Sequence, residues 1–344
     1  MGYEASGARY DRPEGWFRRC GGSGVRLPAV SLGCWQNFGD PGTDAARHED
    51  EPSMHHHAQR LLFTAFDHGV THFDLANNYG PAPGSAEARV GRVLREDLAG
   101  HRDELLISTK AGYRMWPGPY GDGGSRKYLL ASLDQSLRRL GLEYVDFFYH
   151  HRPDATTPLE ETMAALEQAV RSGKAIYAGV SNYSGSLTVD AVRTCERHGW
   201  TAPVIHQPNY SMLNRWCERE LFPETERLGV GTIAFCPLAQ GLLTGKYLEA
   251  IPEDSRARQA SGFLKEERIT PELRARLGRL NDVASARGQT LAQLALAWVV
   301  RPGAATSALI GASRPEQAAE NAACLDAGPI GADELAAIEA ALGG

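Results

Sequence analysis

Short apolar runs alternate along this chain with longer stretches whose apolar residues recur every three to four positions. The runs Val30–Gly33, His72–Ala76, Leu105–Lys110, Tyr144–His150, Ala175–Val180, Pro203–Gln207, Gly231–Cys236 and Ser307–Gly311 read as strands. They lack the in-out alternation of a half-exposed sheet, as parallel strands covered on both faces do. Helical spacing predicts helices over Ala58–His68, Ser85–Leu98, Lys127–Leu140, Leu159–Ser172, Leu187–His198, Arg215–Leu228, Pro271–Arg287, Leu291–Val300, Pro315–Leu325 and Ala332–Leu342. Gly69, Gly141 and Gly173 follow three of them as stop signals. Before the first of these strands, Trp16–Arg19 and Val25–Leu27 flank the turn Cys20–Gly24 and predict a β-hairpin. Residues 1–15 read as a polar N-terminal arm, and the acidic, His-bearing residues 40–57 as a loop insertion.

Strands alternating with helices predict an α/β fold with a parallel sheet. Eight such strands predict a (β/α)8 TIM barrel, with the hairpin capping its bottom and extra helices at the C-terminus. The reading is of one domain over residues 1–344. The competing open, doubly wound sheet is weakened because no GxGxxG follows an early strand.

Composition narrows the function without choosing it. The chain has 344 residues, 42% of them apolar and 23% charged, which suits a water-soluble globular domain with a large core. A net charge of −6 and the lack of a basic run argue against nucleic acid as a partner. The longest apolar stretch, Leu291–Val300, is too short for a membrane span. The charged N-terminus does not resemble a secretory signal. Scattered cysteines without a CxxC pair look like reduced thiols, so a cytoplasmic location is expected.

In a barrel of this kind, function gathers where the strands end. Asp74 closes one run, and Tyr79 follows in its loop. Lys110 closes the next run, and His150 and His151 close the one after. Taken singly, a strand-end Asp is a turn former, a Lys a solvated charge and a His a packed residue. Together they make a proton-transfer set. A phenol of ordinary pKa about 10 is a sluggish acid at neutral pH. An ammonium beside it lowers that pKa. Lys110 is placed to supply the charge, Asp74 to hold Lys110, and a histidine to orient a carbonyl oxygen.

These segments resemble the aldo-keto reductase superfamily from about residue 16 to residue 325. The resemblance rests on Asp74 and Tyr79 five residues apart, the strand-end Lys110 and His151-Arg152-Pro153-Asp154. It implies Tyr79 as proton donor, Asp74 and Lys110 as its partners, and His151, not His150, as the substrate-orienting histidine. It further implies an NADPH (NADP+) site, with Ser181, Asn182 and Gln207 on the nicotinamide carboxamide, and Trp35 and Asp74 nearby. Cys236, Pro237, Leu238, Ala239, Gly241, Leu242 and Lys246 resemble the loop that wraps the pyrophosphate, and Arg256 is assigned to the same cofactor. Gly311, Ser313, Arg314, Gln317, Glu320 and Asn321 resemble the adenosine end. Ser313 and Arg314 open a helix, a natural anion site, and with Lys246 they suggest a 2′-phosphate. Cys236 stands where the family usually has Ser.

Within the superfamily, Asn77–Pro81, the loop Trp116–Gly121, Gln207-Pro208 and Pro237–Tyr247 resemble the branch of voltage-gated potassium channel β subunits and bacterial L-glyceraldehyde 3-phosphate reductase. That implies an oxidoreductase reducing small aldehydes or ketones, such as glyceraldehyde 3-phosphate or methylglyoxal. Trp35, Tyr79, Trp116 and His151 are the expected substrate contacts. It also implies a homo-oligomer, a tetramer or larger. The alternative is an NADPH-binding regulatory subunit with little turnover; His151 stands against it, since the channel subunits have NRPD there. A metal-dependent barrel lyase would need clustered ligands, and the strand ends offer mainly His151 and His206. His48 and His55-His56-His57 fall in the acidic insertion; consecutive histidines do not share a helix face and no ligand partners are evident, so no metal is expected.

Overall fold

The hairpin comes first in the chain, as β1 (Phe17–Arg19) and β2 (Arg26–Pro28), antiparallel with Phe17 opposite Pro28. In the computed structural model, which describes residues 3–40, 50–252, 255, 257 and 264–343, the strands that follow close into a barrel. They are β3 (Val30–Gly33), β4 (His72–Asp74), β5 (Leu106–Ala111), β6 (Val145–His150), β7 (Ala175–Ser181), β8 (Ile205–Gln207), β9 (Gly231–Phe235) and β10 (Ser307–Ile310). All neighbours are parallel, and β10 pairs with both β9 and β3. The predicted (β/α)8 barrel is therefore the observed fold.

Helices run between the strands. They are α1 (Glu51–Asp67), α2 (Ser85–Glu96), α3 (Arg126–Leu140), α4 (Leu159–Arg171), α5 (Gly185–His198), α6 (Cys217–Glu220), α7 (Phe222–Leu228), α8 (Pro271–Ala286), α9 (Leu291–Val299), α10 (Pro315–Ala322) and α11 (Ala332–Leu342). Local chemistry sets many of their ends. Ser125 caps α3 by accepting from the Tyr128 amide at 3.3 Å, and Gly141 ends it in the left-handed region at φ 67°. Thr290 and Gln293 form a reciprocal capping box on α9.

Two predicted elements are corrected. Residues 51–57 are not loop but the first turns of α1, while 41–49 lie outside the described residues. Asp50 accepts from the Ser53 amide at 2.8 Å, and Pro52 sits in the first turn, so Asp-Glu-Pro-Ser is a helix start. The helix predicted over Arg215–Leu228 breaks at Leu221 into α6 and α7, with Pro223 in the first turn of the second. The N-terminal arm is docked: Tyr3 stacks on Phe63 with ring centroids 3.9 Å apart, and its hydroxyl donates to Asp67 at 2.8 Å.

The hairpin does close the barrel floor. Cys20 and Leu27 join Phe147, Tyr149, Ile205, Ile233 and Leu309 in one buried cluster, and the Gly22 amide donates to the Gly229 carbonyl at 2.8 Å. Each such side chain contributes about 1.5–3 kcal/mol by leaving water. A Cβ on Gly179 would stand 2.5 Å from the Tyr149 ring, so glycine makes room there for the large interior side chain. Above this floor the interior turns polar, and the site begins.

Candidate active site

Asp74 is the last residue of β4, and Lys110 lies in β5 beside it. Both are fully buried. The Lys110 ammonium donates to Asp74 Oδ2 at 2.5 Å and to the Leu75 carbonyl at 2.6 Å. The other carboxylate oxygen accepts from Ser108 Oγ at 2.6 Å and from Gln207 Nε2 at 3.2 Å. A buried charge pair needs further hydrogen bonds to hold, and here Ser108 and Gln207 on the carboxylate and the Leu75 carbonyl on the ammonium supply three. Burial lowers the Lys110 pKa, and Asp74 opposes that shift.

Tyr79 stands half-buried above the pair, with its ring centroid 5.0 Å from Lys110 Nζ. Its loop is pinned by backbone bonds from Asn77 N to the Lys110 carbonyl at 2.9 Å and from Gly84 N to the Tyr79 carbonyl at 3.0 Å. Trp35 and His151 flank the ring, each with centroids 5.8 Å away. The predicted lowering of the phenol pKa by Lys110 is not the net direction. Burial raises it well above its ordinary value, and Asp74 adds to the rise. The charge of Lys110 is already engaged by Asp74 at 2.5 Å, so desolvation of the phenolate wins.

The two histidines separate by strand alternation. His150 turns outward, its Nδ1 2.7 Å from the Tyr183 hydroxyl. His151 turns inward against Tyr79, and its backbone carbonyl accepts from Asn182 Nδ2 at 3.0 Å. Burial, with Lys110 adding, drives the His151 pKa well below its ordinary value, so the imidazole is neutral at pH 7. Its Nδ1 is buried without a partner. Tyr113, absent from the predicted site, stands edge-on to His151 with centroids 4.7 Å apart. Trp116, predicted to face the substrate, packs on Tyr128 at 5.1 Å. Tyr113 follows β5 after Gly112, and its place beside His151 needed the fold.

The residues matched to a cofactor lie along the rest of the same rim. Ser181 ends β7 and donates to the Gln207 carbonyl at 2.8 Å, which joins two strand ends. Gln207 ends β8, and Cys236 to Lys246 follow β9. The non-glycine residues in the left-handed region, among the described residues, are Asn182 (φ 61°), Cys236 (53°), Ala239 (48°) and Gln240 (59°). Strain of this kind gathers where backbone is shaped for a ligand. The turns around Leu238, Gly241 and Leu242 suit close approach by an anion to backbone amides. Past β10 and Gly311, Ser313 donates from both its amide (2.8 Å) and its hydroxyl (3.1 Å) to Gln317 Oε1. Arg314 and Glu320 are exposed beside it, Asn321 is buried, and Lys246 is exposed on its own loop. These residues fit a long anionic cofactor laid across the rim. Arg256 lies outside the described residues.

The aldo/keto reductase family model matches residues 29–342. The chain belongs to the aldo/keto reductase family. It is 52% identical to the L-glyceraldehyde 3-phosphate reductase of Escherichia coli (strain K12), over 98% of this chain and 95% of that one. It is 36% identical to a putative voltage-gated potassium channel subunit beta of Schizosaccharomyces pombe, over 89% of this chain and 86% of the other. A probable subunit of the same kind from Arabidopsis thaliana is also 36% identical, over 91% and 92%. The family supports an oxidoreductase acting on a small carbonyl substrate with a nicotinamide cofactor. Among the described residues, no helix is long and apolar enough to cross a membrane, and no three His, Cys, Asp or Glu side chains group to hold a metal.

Proposed function

We propose that this protein is an NADPH-dependent reductase of small aldehydes and ketones, with glyceraldehyde 3-phosphate or methylglyoxal as the substrate type. The observation that carries the reading is one rim that gathers Tyr79, the Asp74–Lys110 pair and a neutral His151. The likeness to L-glyceraldehyde 3-phosphate reductase supports the phosphorylated substrate. When bound, the nicotinamide supplies the hydride.

The chain's own residues do the rest. His151 donates a hydrogen bond to the carbonyl oxygen and orients it; a neutral imidazole can do this without losing its proton. Tyr79 is protonated at neutral pH, as an ordinary phenol is, and burial raises its pKa further. As hydride reaches the carbon, the oxygen becomes basic and takes the phenolic proton. Lys110 then faces a phenolate, and its charge stabilises that anion more than it stabilised the phenol. Asp74 keeps Lys110 in place. Trp35 and Tyr113 wall the opening and exclude water from the developing charge. Ser181, Asn182 and Gln207 would hold the carboxamide, the Cys236–Lys246 loop the pyrophosphate, and Ser313 with Arg314 the 2′-phosphate. Assembly as a homo-oligomer in the cytoplasm remains part of this proposal.

Steady-state oxidation of NADPH with glyceraldehyde 3-phosphate and with methylglyoxal tests the reading. Multiple turnovers at saturating substrate support it. Tight NADPH binding with a single slow turnover would favour a regulatory subunit instead, the reading that the channel-subunit likeness supports.

A further inference from the structure

Beneath the Asp74–Lys110 pair lies a line of polar side chains with no part in the mechanism above. Ser307 Oγ is 2.8 Å from Ser31 Oγ, which is 3.0 Å from His72 Nδ1. His72 Nε2 is 3.0 Å from Ser108 Oγ, and Ser108 donates to Asp74 Oδ1 at 2.6 Å. The line crosses from β10 through β3 and β4 to β5 and returns to Asp74. Each of the five side chains is fully buried. Five polar groups in a barrel interior are costly unless each is satisfied, and here they satisfy one another.

We infer that His72 is a positioning residue for the reaction, locked as the Nε2–H tautomer in a one-way hydrogen-bond chain that fixes the Asp74 carboxylate through Ser108. The inference rests on the proposed role of Asp74 and Lys110. The direction follows from counting protons. An ionised carboxylate only accepts, so the single Ser108 proton points at Asp74. Ser108 must then accept from His72, which places the imidazole proton on Nε2. Nδ1 is left as an acceptor, so Ser31 donates to it and Ser307 donates to Ser31. Burial holds the His72 pKa down at about 4, which keeps the ring neutral, as the count requires. The titratable groups facing the line are Asp74 and Lys110 above, with Cys34 and Tyr149 beside that pair. Phe147 stands edge-on to the imidazole at 5.7 Å and holds its plane.

The consequence is geometric. With Oδ1 taken by Ser108, the carboxylate cannot rotate to offer both oxygens to Lys110. The ammonium stays on Oδ2 and the Leu75 carbonyl, below the Tyr79 ring. Cutting the chain leaves Oδ1 with only the longer bond from Gln207 Nε2 at 3.2 Å, which loosens that rotation and draws Lys110 off Tyr79.

The test uses the full chain loaded with NADPH. Nitrogen-15 spectra of imidazole-labelled protein should show His72 protonated at Nε2 and bare at Nδ1 from pH 6 to 8. This readout needs no turnover, so it stands even if the proposed activity fails. A charged ring or the Nδ1–H tautomer would overturn the inference. Ser108→Ala and His72→Leu should each lower kcat for hydride transfer about tenfold with KM unchanged, the effect of losing a hydrogen bond to a charged group. Ser108→Thr and His72→Gln, which keep a donor at the same place, should restore most of it. Wild-type kcat in a folded Ser108→Ala protein, or no rescue by the conservative variants, would also overturn it.

Discussion

Removing the charge of Lys110 should cost stability as well as activity, and the two losses should come apart in a double variant. Lys110→Met keeps the length of the side chain but leaves Asp74 ionised at 0% exposure. Breaking a buried ion pair from one side costs about 3–5 kcal/mol. Asp74 would keep its Ser108 donor at 2.6 Å and its Gln207 donor at 3.2 Å. Those two bonds place the expected loss near the lower end, about 3 kcal/mol. Asp74→Asn leaves the ammonium with the Leu75 carbonyl and a neutral amide, for a loss of about 3 kcal/mol as well. Independent losses would sum to about 6 kcal/mol, whereas removing both charges leaves no uncompensated ion, and the double variant should lose only about 3 kcal/mol. Urea unfolding at pH 7, with the slope checked for constancy, measures all four proteins. None of the three variants should turn over substrate at more than a small fraction of the wild-type rate. A double variant that loses the full sum, or a Lys110→Met protein that unfolds at the wild-type midpoint, would refute the coupling.

Two other expectations follow. Burial holds the pKa of His72, His150 and His206 down at about 4 each, and also drives that of His151 well below its ordinary value. The unfolded chain takes up the same protons near pH 6.5, so stability is fully present above that value and falls as the pH drops toward 4. The slope should be about 1.4 kcal/mol per pH unit for each histidine, read by unfolding at pH 7 and pH 5; a flat profile would contradict the burial of neutral imidazoles. On the proposed cofactor placement, Arg314→Ala should raise the KM for NADPH roughly tenfold or more while leaving that for NADH nearly unchanged, because it removes a charge set against the 2′-phosphate that NADH lacks.

The barrel was legible because its signal is repetitive. Eight apolar runs separated by helical periods leave few alternatives, and strand ends then mark the rim. Asp74, Lys110 and the histidine pair could be placed there from their positions alone. What the sequence hid depended on direction and distance. Residue chemistry alone leaves His150 and His151 open, and only the family resemblance names His151; alternation along β6, where Tyr149 pairs with Lys110, shows why once the strand's register is known. The net direction of the Tyr79 pKa was misjudged because a neighbouring charge can be named from sequence, whereas the depth of burial that outweighs it cannot. The place of Tyr113 beside His151 was hidden for the same reason: an aromatic loop fixes composition, not which ring reaches His151. The start of α1 carries capping chemistry in Asp50-Glu51-Pro52-Ser53, but the polar, His-bearing residues that follow lack the apolar period that marks a helix. His72 and Ser108 sit two residues before Asp74 and Lys110, on the same faces of their strands. That spacing was visible, but its meaning required the barrel to bring β3, β4, β5 and β10 around one line.

The central claim is that Tyr79 hands its proton to a carbonyl oxygen while hydride arrives at carbon. Single-turnover oxidation of preloaded NADPH by glyceraldehyde 3-phosphate, compared between the wild-type protein and Tyr79→Phe, tests it most directly. The account predicts unchanged NADPH binding and a rate lower by roughly 10²–10⁴-fold in the variant, the contribution of a positioned general acid. A Tyr79→Phe protein that oxidises NADPH at the wild-type rate would contradict it.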